Sequence, residues 1–244
     1  MGHRGDVLMR RLTLILALAA CSAWASPAVC SATASAAATV SCTLNVSALS
    51  TPVVFCHAGG GSISIAFSDG AANTWHATQN TYDGAVGNSA FAWASAPSTS
   101  TTDSVTCTFP GSPSFEGILA IDETSPLSSS PLDAISGVTG TGGVKTVTGN
   151  VTTSQSNDLI VMAATQANTG SAPTAGTGYT MQVTNSATTD GMEDGTTATV
   201  GSVSASMVST ASVAWVGFVV AFKTGSPPAT MVPRHGASIC CQPQ

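Results

Sequence analysis

The residues of this 244-residue chain best suited to chemistry are a short acidic run near position 190. Asp190, Glu193 and Asp194 fall close together, and Gly191 and Gly195 allow the backbone to bend between them. Carboxylate oxygens are the ligands that calcium prefers in proteins, so these three residues are candidate calcium ligands. The spacing does not match an EF-hand loop. The alternative interpretation is a solvated hairpin turn that uses Asp-Gly chemistry.

Aromatic side chains near turns are the second candidate chemistry, because flat rings with a polar edge are suitable platforms for sugars. Trp75, Tyr82 and Tyr179 lie near predicted turns and are candidate ligand-binding residues. Trp93 and Trp215 lie in apolar strands and are expected in the core. Packing is the alternative role for each of the three candidates.

Patterns for hydrolytic catalysis are weak. A glycosidase needs two carboxyl groups about 5–10 Å apart, whereas Glu116 and Asp122 would be about 20 Å apart on one predicted strand. The sequence has no G-x-S-x-G turn for a nucleophilic serine. His57 and His76 suit ordinary strand positions. No catalytic residue is predicted, and whether the chain is an enzyme is left open.

Three of the seven cysteines, Cys42, Cys56 and Cys107, lie in predicted strands and are disulfide candidates. The proximity of consecutive strands favours Cys42–Cys56, and Cys56–Cys107 is the rival pairing. The remaining cysteine would be free or would pair with Cys30. The sequence has no C-x-x-C pair, which argues against a zinc site.

The elements that must position these residues are predicted to be β-strands. No window has a sustained helical period, and Gly or Pro recurs along the chain. In Asp103–Phe109 every second residue is apolar, as expected for a strand with one buried face. Ser62–Ser68, Thr197–Val200, Ser202–Val208 and Ser212–Phe222 are further predicted strands. The chain is therefore expected to be all-β, with one antiparallel sandwich domain of about twelve strands over residues 38–223.

Three segments within this domain carry a family resemblance. They are the D-x-x-x-N-T-W turn at 69–75, the S-P-L-D segment at 130–133 and the N-D-L-I-V segment at 157–161. Together they resemble a broad group of poorly characterised bacterial exported jelly-roll domains with concanavalin-like sandwiches. Ala72 stands where that group usually has glycine. The resemblance implies a jelly-roll topology and, because some such sandwiches bind sugars, an expected glycan-binding or adhesive role.

The first 25 residues predict a secretory signal. Arg10 and Arg11 precede an apolar run at 12–20, and a small-x-small cleavage site ends at Ala25. The alternative is a lipoprotein anchored at Cys21, because Leu18-Ala19-Ala20-Cys21 has the form of a lipobox. The run is too short for a membrane-spanning helix. A secreted, extracellular or periplasmic protein is expected.

Two low-complexity segments are expected to flank the domain. Residues 26–37 are interpreted as a leader, and residues 224–244, with four prolines, as a flexible tail. Adjacent cysteines rarely bond each other, so Cys240 and Cys241 are candidates for pairing with Cys30 or for an intermolecular disulfide.

The scarcity of basic residues limits the class of partner that the chain can bind. The formal net charge is −6, and only Lys145 and Lys223 are basic between Arg11 and Arg234. A protein that binds phosphates needs clustered Lys and Arg, so nucleic acid is not an expected partner. The expected function is a secreted or surface-associated non-catalytic interaction module that contacts extracellular polysaccharide or a cell-surface protein. A carbohydrate-active enzyme and a structural assembly subunit are the alternatives.

Overall fold

The structure is a computed structural model that describes residues 27–47, 50–78, 80–94, 100–124, 127–167 and 171–225. The predicted signal, the lipobox at Cys21 and the cysteines at 240 and 241 lie outside these residues. Fifteen strands lie within them, against about twelve expected. The strands are β1 (Ala28–Ala34), β2 (Thr39–Val46), β3 (Thr51–Ala58), β4 (Ala66–Ser68), β5 (Trp75–Ala77), β6 (Thr81–Asp83), β7 (Gly87–Ala94), β8 (Ser100–Thr108), β9 (Glu116–Glu123), β10 (Leu127–Thr153), β11 (Leu159–Gln166), β12 (Thr174–Ala175), β13 (Thr180–Asn185), β14 (Asp190–Thr196) and β15 (Gly201–Thr224).

The all-β class and the antiparallel pairing are confirmed. The central sheet has the order β1-β9-β3-β7-β5, with β6 also paired to β7. The large outer sheet has the order β10-β15-β11-β14-β13, with β12 paired to β15, and the small outer sheet has the order β2-β8-β4. The jelly-roll topology stays a prediction.

The central sheet lies between the other two and is buried on both faces. One face of β3, with Val54 and Cys56, packs with Leu44 and Val105 of the small outer sheet. The other face, with Phe55, packs on the large outer sheet. Strands covered on both sides should be continuously apolar, and β3, β7 and β9 are buried along their whole length. Strand β2 is covered on one side only and alternates between exposed and buried residues.

A fourth layer comes from the long strands β10 and β15. Residues 146–153 of β10 pair with residues 201–208 of β15, beyond register shifts between Thr141 and Thr146. In this part, which we call the distal ribbon, Val147 and Met207 pack on Met162 and Val219 of the large outer sheet. The ribbon therefore folds back over that sheet and buries its second face.

Some predicted segments differ from the structure. Ala28–Ala34 lies in the expected leader but forms β1, whose seven residues all pair with β9. Residues 197–200 form no strand, and 198–200 are bends. Only the last three residues of Ser62–Ser68 form a strand. The two strands predicted at 202–208 and 212–222 are one strand, β15. The sequence pattern predicts two strands because polar Ser and Thr residues separate two apolar runs. In the structure, pairing with β10 keeps the backbone extended through those polar residues.

Two disulfides join the central sheet to the small outer sheet. Cys30 of β1 is bonded to Cys42 of β2, and Cys56 of β3 is bonded to Cys107 of β8. The favoured Cys42–Cys56 pairing is therefore wrong, and the rival Cys56–Cys107 bond is present. The strands β2 and β3 are consecutive in the chain but lie in different sheets and do not pair with each other.

No helix long and apolar enough to cross a membrane occurs in the part of the chain that the structure describes.

Candidate functional site

An open cavity of about 410 Å³ lies at one edge of the molecule, between the central sheet and the large outer sheet. We call it the edge groove. Residues from β5, the β5–β6 connection and β6 form one wall, and residues from β7, β10 and β15 form the rest. The lining residues are Ala77, Thr78, Asn80, Thr81, Trp93, Leu132, Ile135, Gly137 and Phe218. A cavity of this size falls in the range that small-molecule sites occupy.

The polar wall is held in place by the central sheet. Both β5 and β6 pair with β7, so Thr78 and Asn80, which adjoin these strands, stay at the sheet edge. The Thr78 hydroxyl donates to the Phe91 carbonyl at 2.8 Å and accepts from the Phe91 amide at 3.2 Å. The Asn80 side-chain amide donates to the Ile63 carbonyl. These bonds fix the wall before any ligand arrives.

Glycine brings the two sheets together at one end of the groove. A Cβ atom at Gly137 of β10 would collide with the hydroxyl of Thr81. Because glycine has no such atom, β10 can approach β6 closely. The approach closes the groove at that point and places Thr81 beside the apolar residues of β10.

The remaining lining is mainly hydrocarbon. Trp93 is 8 % exposed, and its ring makes an edge contact with Phe222 at a centroid distance of 5.8 Å. The exposed His76 stacks on Trp93 at 5.4 Å. The lining residues include no ionisable side chain. The arrangement suits an uncharged ligand that has both apolar and hydrogen-bonding groups.

The three predicted aromatic platforms do not meet at this groove. Trp75 is half-buried and stacks on Phe67 at 6.5 Å, on the side of the small outer sheet. Tyr82 is 45 % exposed and follows Thr81 on β6, but it is absent from the groove lining. The Tyr179 hydroxyl donates to the Ser204 carbonyl of the distal ribbon at 2.9 Å.

The D-x-x-x-N-T-W segment is a hydrogen-bonded turn. The carboxylate of Asp69 accepts from the Asn73 backbone amide, from the Asn73 side chain and from Trp75 Nε1, each at 2.9 Å. Ala72 within the turn has a φ of 55°, a conformation that L-residues rarely adopt. The structure of the turn therefore accounts for Asp69, Asn73 and Trp75 without a ligand.

The acidic run forms the strand β14 and not a loop, so the three candidate calcium ligands lie on two faces of a strand. Successive side chains on a strand point to opposite faces. Asp190 and Asp194 point toward the central sheet, where Asp190 lies 2.8 Å from His57, whereas Glu193 accepts from the Gly176 amide at 2.8 Å on the other face. The described residues contain no group of three or more His, Cys, Asp or Glu side chains that could hold a metal ion.

Two of these acids have perturbed pKa values. Burial raises the pKa of Glu193 to about 7, against hydrogen bonds from backbone amides that lower it. Asp194 lies near Glu123 across the two sheets, and Gln182 donates to Asp194 at 2.7 Å. Burial, followed by the nearby Asp194 charge, raises the pKa of Glu123 well above its ordinary value. The charged forms of Glu123 and Asp194 repel each other, which favours protonation of one of them.

The other two segments of the family resemblance meet through a second carboxyl pair. Asp133 accepts from the backbone amide and the hydroxyl of Ser154 and lies 3.3 Å from Lys223. Burial acts to raise the pKa of Asp133, but the Ser154, Asp158 and Lys223 contacts lower it to about 2. Burial and then Asp133 raise the pKa of Asp158 to about 6. This pair joins the start of β10 to the loop that follows β10.

A serine, a histidine and an aspartate also come together between the sheets. His57 faces Asp190, and Ser89 lies directly opposite His57 across the β3–β7 pair. Residues that are directly opposite share a sheet face. All three are at most 1 % exposed, so a substrate cannot reach them in this structure. Their contacts join the central sheet to the large outer sheet.

The groove residues were missed by sequence reasoning for a specific reason. Trp93 alternates with Phe91, and that pattern predicts a core residue; it is indeed mostly buried. Its partners in the groove, Ile135 and Phe218, lie on strands far away in sequence. The only sequence feature that marks the polar wall is the Asn80-Thr81 pair before Tyr82. This pair looks like an ordinary polar turn, so it does not indicate a groove.

Comparison of the chain with protein-family models, with curated proteins and with solved structures finds no match.

Proposed function

We propose that the protein is an exported, non-catalytic interaction module of the jelly-roll kind that binds an uncharged extracellular glycan in the edge groove. The observation that carries the proposal is the groove itself. It combines the rim of Trp93, a hydrocarbon floor and a polar wall at Asn80 and Thr81, with no ionisable residue in its lining. Sugars present apolar ring faces and hydroxyl edges, and such a lining complements both.

The absence of ionisable residues in the groove lining also favours a binding role over glycoside hydrolysis. Glycoside hydrolysis requires two carboxyl groups that flank the substrate. In the described part of the chain, the close carboxyl pairs Glu123–Asp194 and Asp133–Asp158 lie outside the groove lining. Glu123 and Asp158 are at most 3 % exposed. This arrangement supports a binding role over an enzymatic one.

Export is supported by the two disulfides. Disulfides persist in oxidising compartments and are rare where thiols are kept reduced. The Cys30–Cys42 and Cys56–Cys107 bonds use all the cysteines in the described ranges between residues 27 and 225. The predicted signal of residues 1–25 agrees with an oxidising destination.

The test is a titration of the purified protein with neutral oligosaccharides, in which binding is measured by isothermal titration calorimetry and by tryptophan fluorescence. The variant Thr81→Trp places a large ring in the groove, because the Thr81 side chain faces Gly137 across it. We expect it to weaken binding at least tenfold, and a melting curve shows whether the fold is preserved.

The matched control is Ala66→Trp. Ala66 is exposed on a strand of three residues, the same length as β6, but its strand belongs to the small outer sheet. The control should bind as the unmodified protein does. If no neutral glycan binds, or if both variants bind equally well, the proposed function of the groove is wrong.

A further inference from the structure

A lysine and two aspartates lie side by side at three neighbouring strands of the large outer sheet. They are Lys223 near the end of β15, Asp133 of β10 and Asp158, which directly precedes β11. The strand β15 lies between β10 and β11. Leu159 pairs with Phe222, so the same antiparallel register places Asp158 opposite Lys223. Residues that are directly opposite share a sheet face, which brings the lysine and this aspartate together.

The amine of Lys223 is in contact with a carboxyl group that water barely reaches. Lys223 Nζ lies 3.3 Å from Asp133 Oδ1, and the two side chains are 33 % and 4 % exposed. Asp158 beside them is fully buried. Burial and the nearby Asp133 raise the pKa of Asp158 to about 6, so Asp158 holds a proton more readily than an ordinary aspartate does. The cluster therefore contains an amine, a carboxyl group and a separate proton donor.

The loop after β10 fixes the Asp133 carboxyl group. The Ser154 backbone amide donates to Asp133 Oδ2, and the Ser154 hydroxyl donates to Asp133 Oδ1. Asp133 itself lies at a register shift in the β10–β15 pair, between Leu132 and Ala134. Donors aimed at a carboxyl oxygen stabilise the negative charge that develops on it when a nucleophile attacks the carbon. Ser154 is therefore placed to assist an attack on Asp133 Cγ.

We propose that Lys223 and Asp133 condense into an intramolecular amide bond, with Asp158 as the proton carrier. The Lys223 ammonium first passes a proton to the Asp133 carboxylate, and the free electron pair on Nζ then attacks Cγ. A bond forms between Nζ and Cγ, and the bond from Cγ to one oxygen breaks. Asp158 donates its proton to that oxygen, which leaves as water, and Asp158 then recovers a proton from Nζ.

This reaction needs no further reactant. One ammonium and one carboxylate become one amide and one water molecule, and Asp158 ends in the state in which it began. Groups that the fold holds in contact react far faster than free groups do, because their effective concentration is high. The burial of Asp133 and Asp158 limits access of the water that would reverse the reaction. Asp133 titrates as an acid only in chains in which the bond has not formed.

The amide is a modification site that does not depend on the glycan proposal. None of its three residues lines the edge groove. The bond would tie β10 near its start to β15 near its end, beside the segment interpreted as a tail.

The test is the mass of the intact full protein after its disulfides have been reduced and the chain has been denatured. We expect a mass lower than that of the unlinked chain by one water molecule. Proteolysis and fragmentation should then give a branched peptide in which Asp133 is joined to Lys223, which distinguishes the amide from loss of water elsewhere. The mass of the unlinked chain would mean that the two residues form an ion pair only, and it would overturn the proposal.

The variant Lys223→Arg keeps a positive charge beside Asp133, but its guanidinium stays protonated and cannot form the amide. It should have the mass calculated for its unlinked sequence. Lys145→Arg is the matched control, because Lys145 is exposed on β10 and lies outside the cluster. The control should keep the loss of water. A loss of water that persists in Lys223→Arg would contradict the proposed bond.

The variant Asp158→Asn tests the proton carrier, because asparagine has a similar size but no carboxyl proton to donate. It should lower the linked fraction at least tenfold, while a circular dichroism spectrum shows whether the fold is preserved. Asp158→Glu, which keeps a carboxyl group, should restore the link. Complete linkage in a folded Asp158→Asn variant would overturn the role assigned to Asp158, and the mass of the unmodified protein decides the bond itself.

Discussion

At the scale of single residues, backbone conformation and buried charge explain several side chains that first suggest chemistry. Asp69 accepts three hydrogen bonds inside one turn and is therefore a structural residue. Glycine at 117 is required because a Cβ atom there would collide with His57 and lie 2.8 Å from Asp190. The contact between His57 and Asp190 thus depends on a neighbour without a side chain.

Replacing Ala72 with glycine should stabilise the protein. Ala72 has a φ of 55°, and an L-residue in the left-handed region costs roughly 1–2 kcal/mol. Glycine relieves this cost but adds conformational entropy to the unfolded chain. We expect a net gain of about 0.5–1 kcal/mol in the free energy of unfolding, measured by chemical denaturation.

Ala71→Gly is the control for this change. Its backbone amide donates to Asp103 at 3.1 Å, and its φ is not positive. Glycine there should destabilise the protein by roughly 0.4–1 kcal/mol. Equal effects at positions 71 and 72 would show that strain at Ala72 is absent.

At the scale of elements, the local residue pattern predicts that a strand exists better than it predicts which strands pair with it. The alternation in β2 and β8 and the apolar runs in β3, β7 and β9 were sufficient to predict those strands. The strand β14 was interpreted as a loop because Asp and Gly are poor strand formers. It forms because β11 and β13 pair with it on both sides. Pairing between strands that are distant in sequence has no signature in the local sequence. The edge groove has none either, because its lining comes from several such strands.

The disulfides should stabilise the fold to different extents. Cys56–Cys107 closes a loop with a sequence separation of 51, and Cys30–Cys42 one with a separation of 12. On the loop-entropy estimate they contribute about 4 and about 3 kcal/mol. Replacing each pair with two alanines and measuring denaturation without reductant should give the larger loss for Cys56 and Cys107.

The buried position of Cys56 and Cys107 adds to that difference, because both are fully buried in the core against the small outer sheet. A larger loss from the Cys30 and Cys42 replacement would contradict the prediction. It would mean that the attachment of the edge strand β1 limits stability.

At the scale of the whole molecule, the four β-layers bury acids as well as hydrocarbon. Glu123 and Asp194 lie between the central and the large outer sheets, and Glu193 lies between the large outer sheet and the distal ribbon. Each has a raised pKa, chiefly because burial disfavours the charged form. The layered architecture therefore makes stability depend on pH.

The protein should be more stable near pH 5 than near pH 8. A carboxyl group with a raised folded pKa binds a proton more tightly in the folded state than in the unfolded state. Its contribution is present at low pH and is lost as pH rises from the unfolded value toward the folded pKa. For Asp158 and Glu193 that loss ends at about 6 and about 7. Because one pKa unit corresponds to about 1.4 kcal/mol, urea denaturation across this range should show a fall in the free energy of unfolding on the order of 1–3 kcal/mol.

The variant Glu193→Gln should flatten this pH dependence, because it removes one titrating group. Asp133→Asn should instead lower stability throughout this range, because it removes a group whose folded pKa is lowered. The pKa of Asp133 is lowered to about 2, so its contribution is present above the unfolded pKa near 4 and is lost as pH falls toward 2. Stability that rises from pH 5 to pH 8 would contradict the assignment of these buried acids.

The disulfide pattern also bears on how the bonds are made. In the described part of the chain, the first cysteine pairs with the second and the third with the fourth. When the chain emerges with its N-terminus first, Cys42 is the next of these cysteines to appear after Cys30, and Cys107 the next after Cys56. Oxidation in order of appearance produces the native bonds directly, so the protein should reach them without a disulfide isomerase.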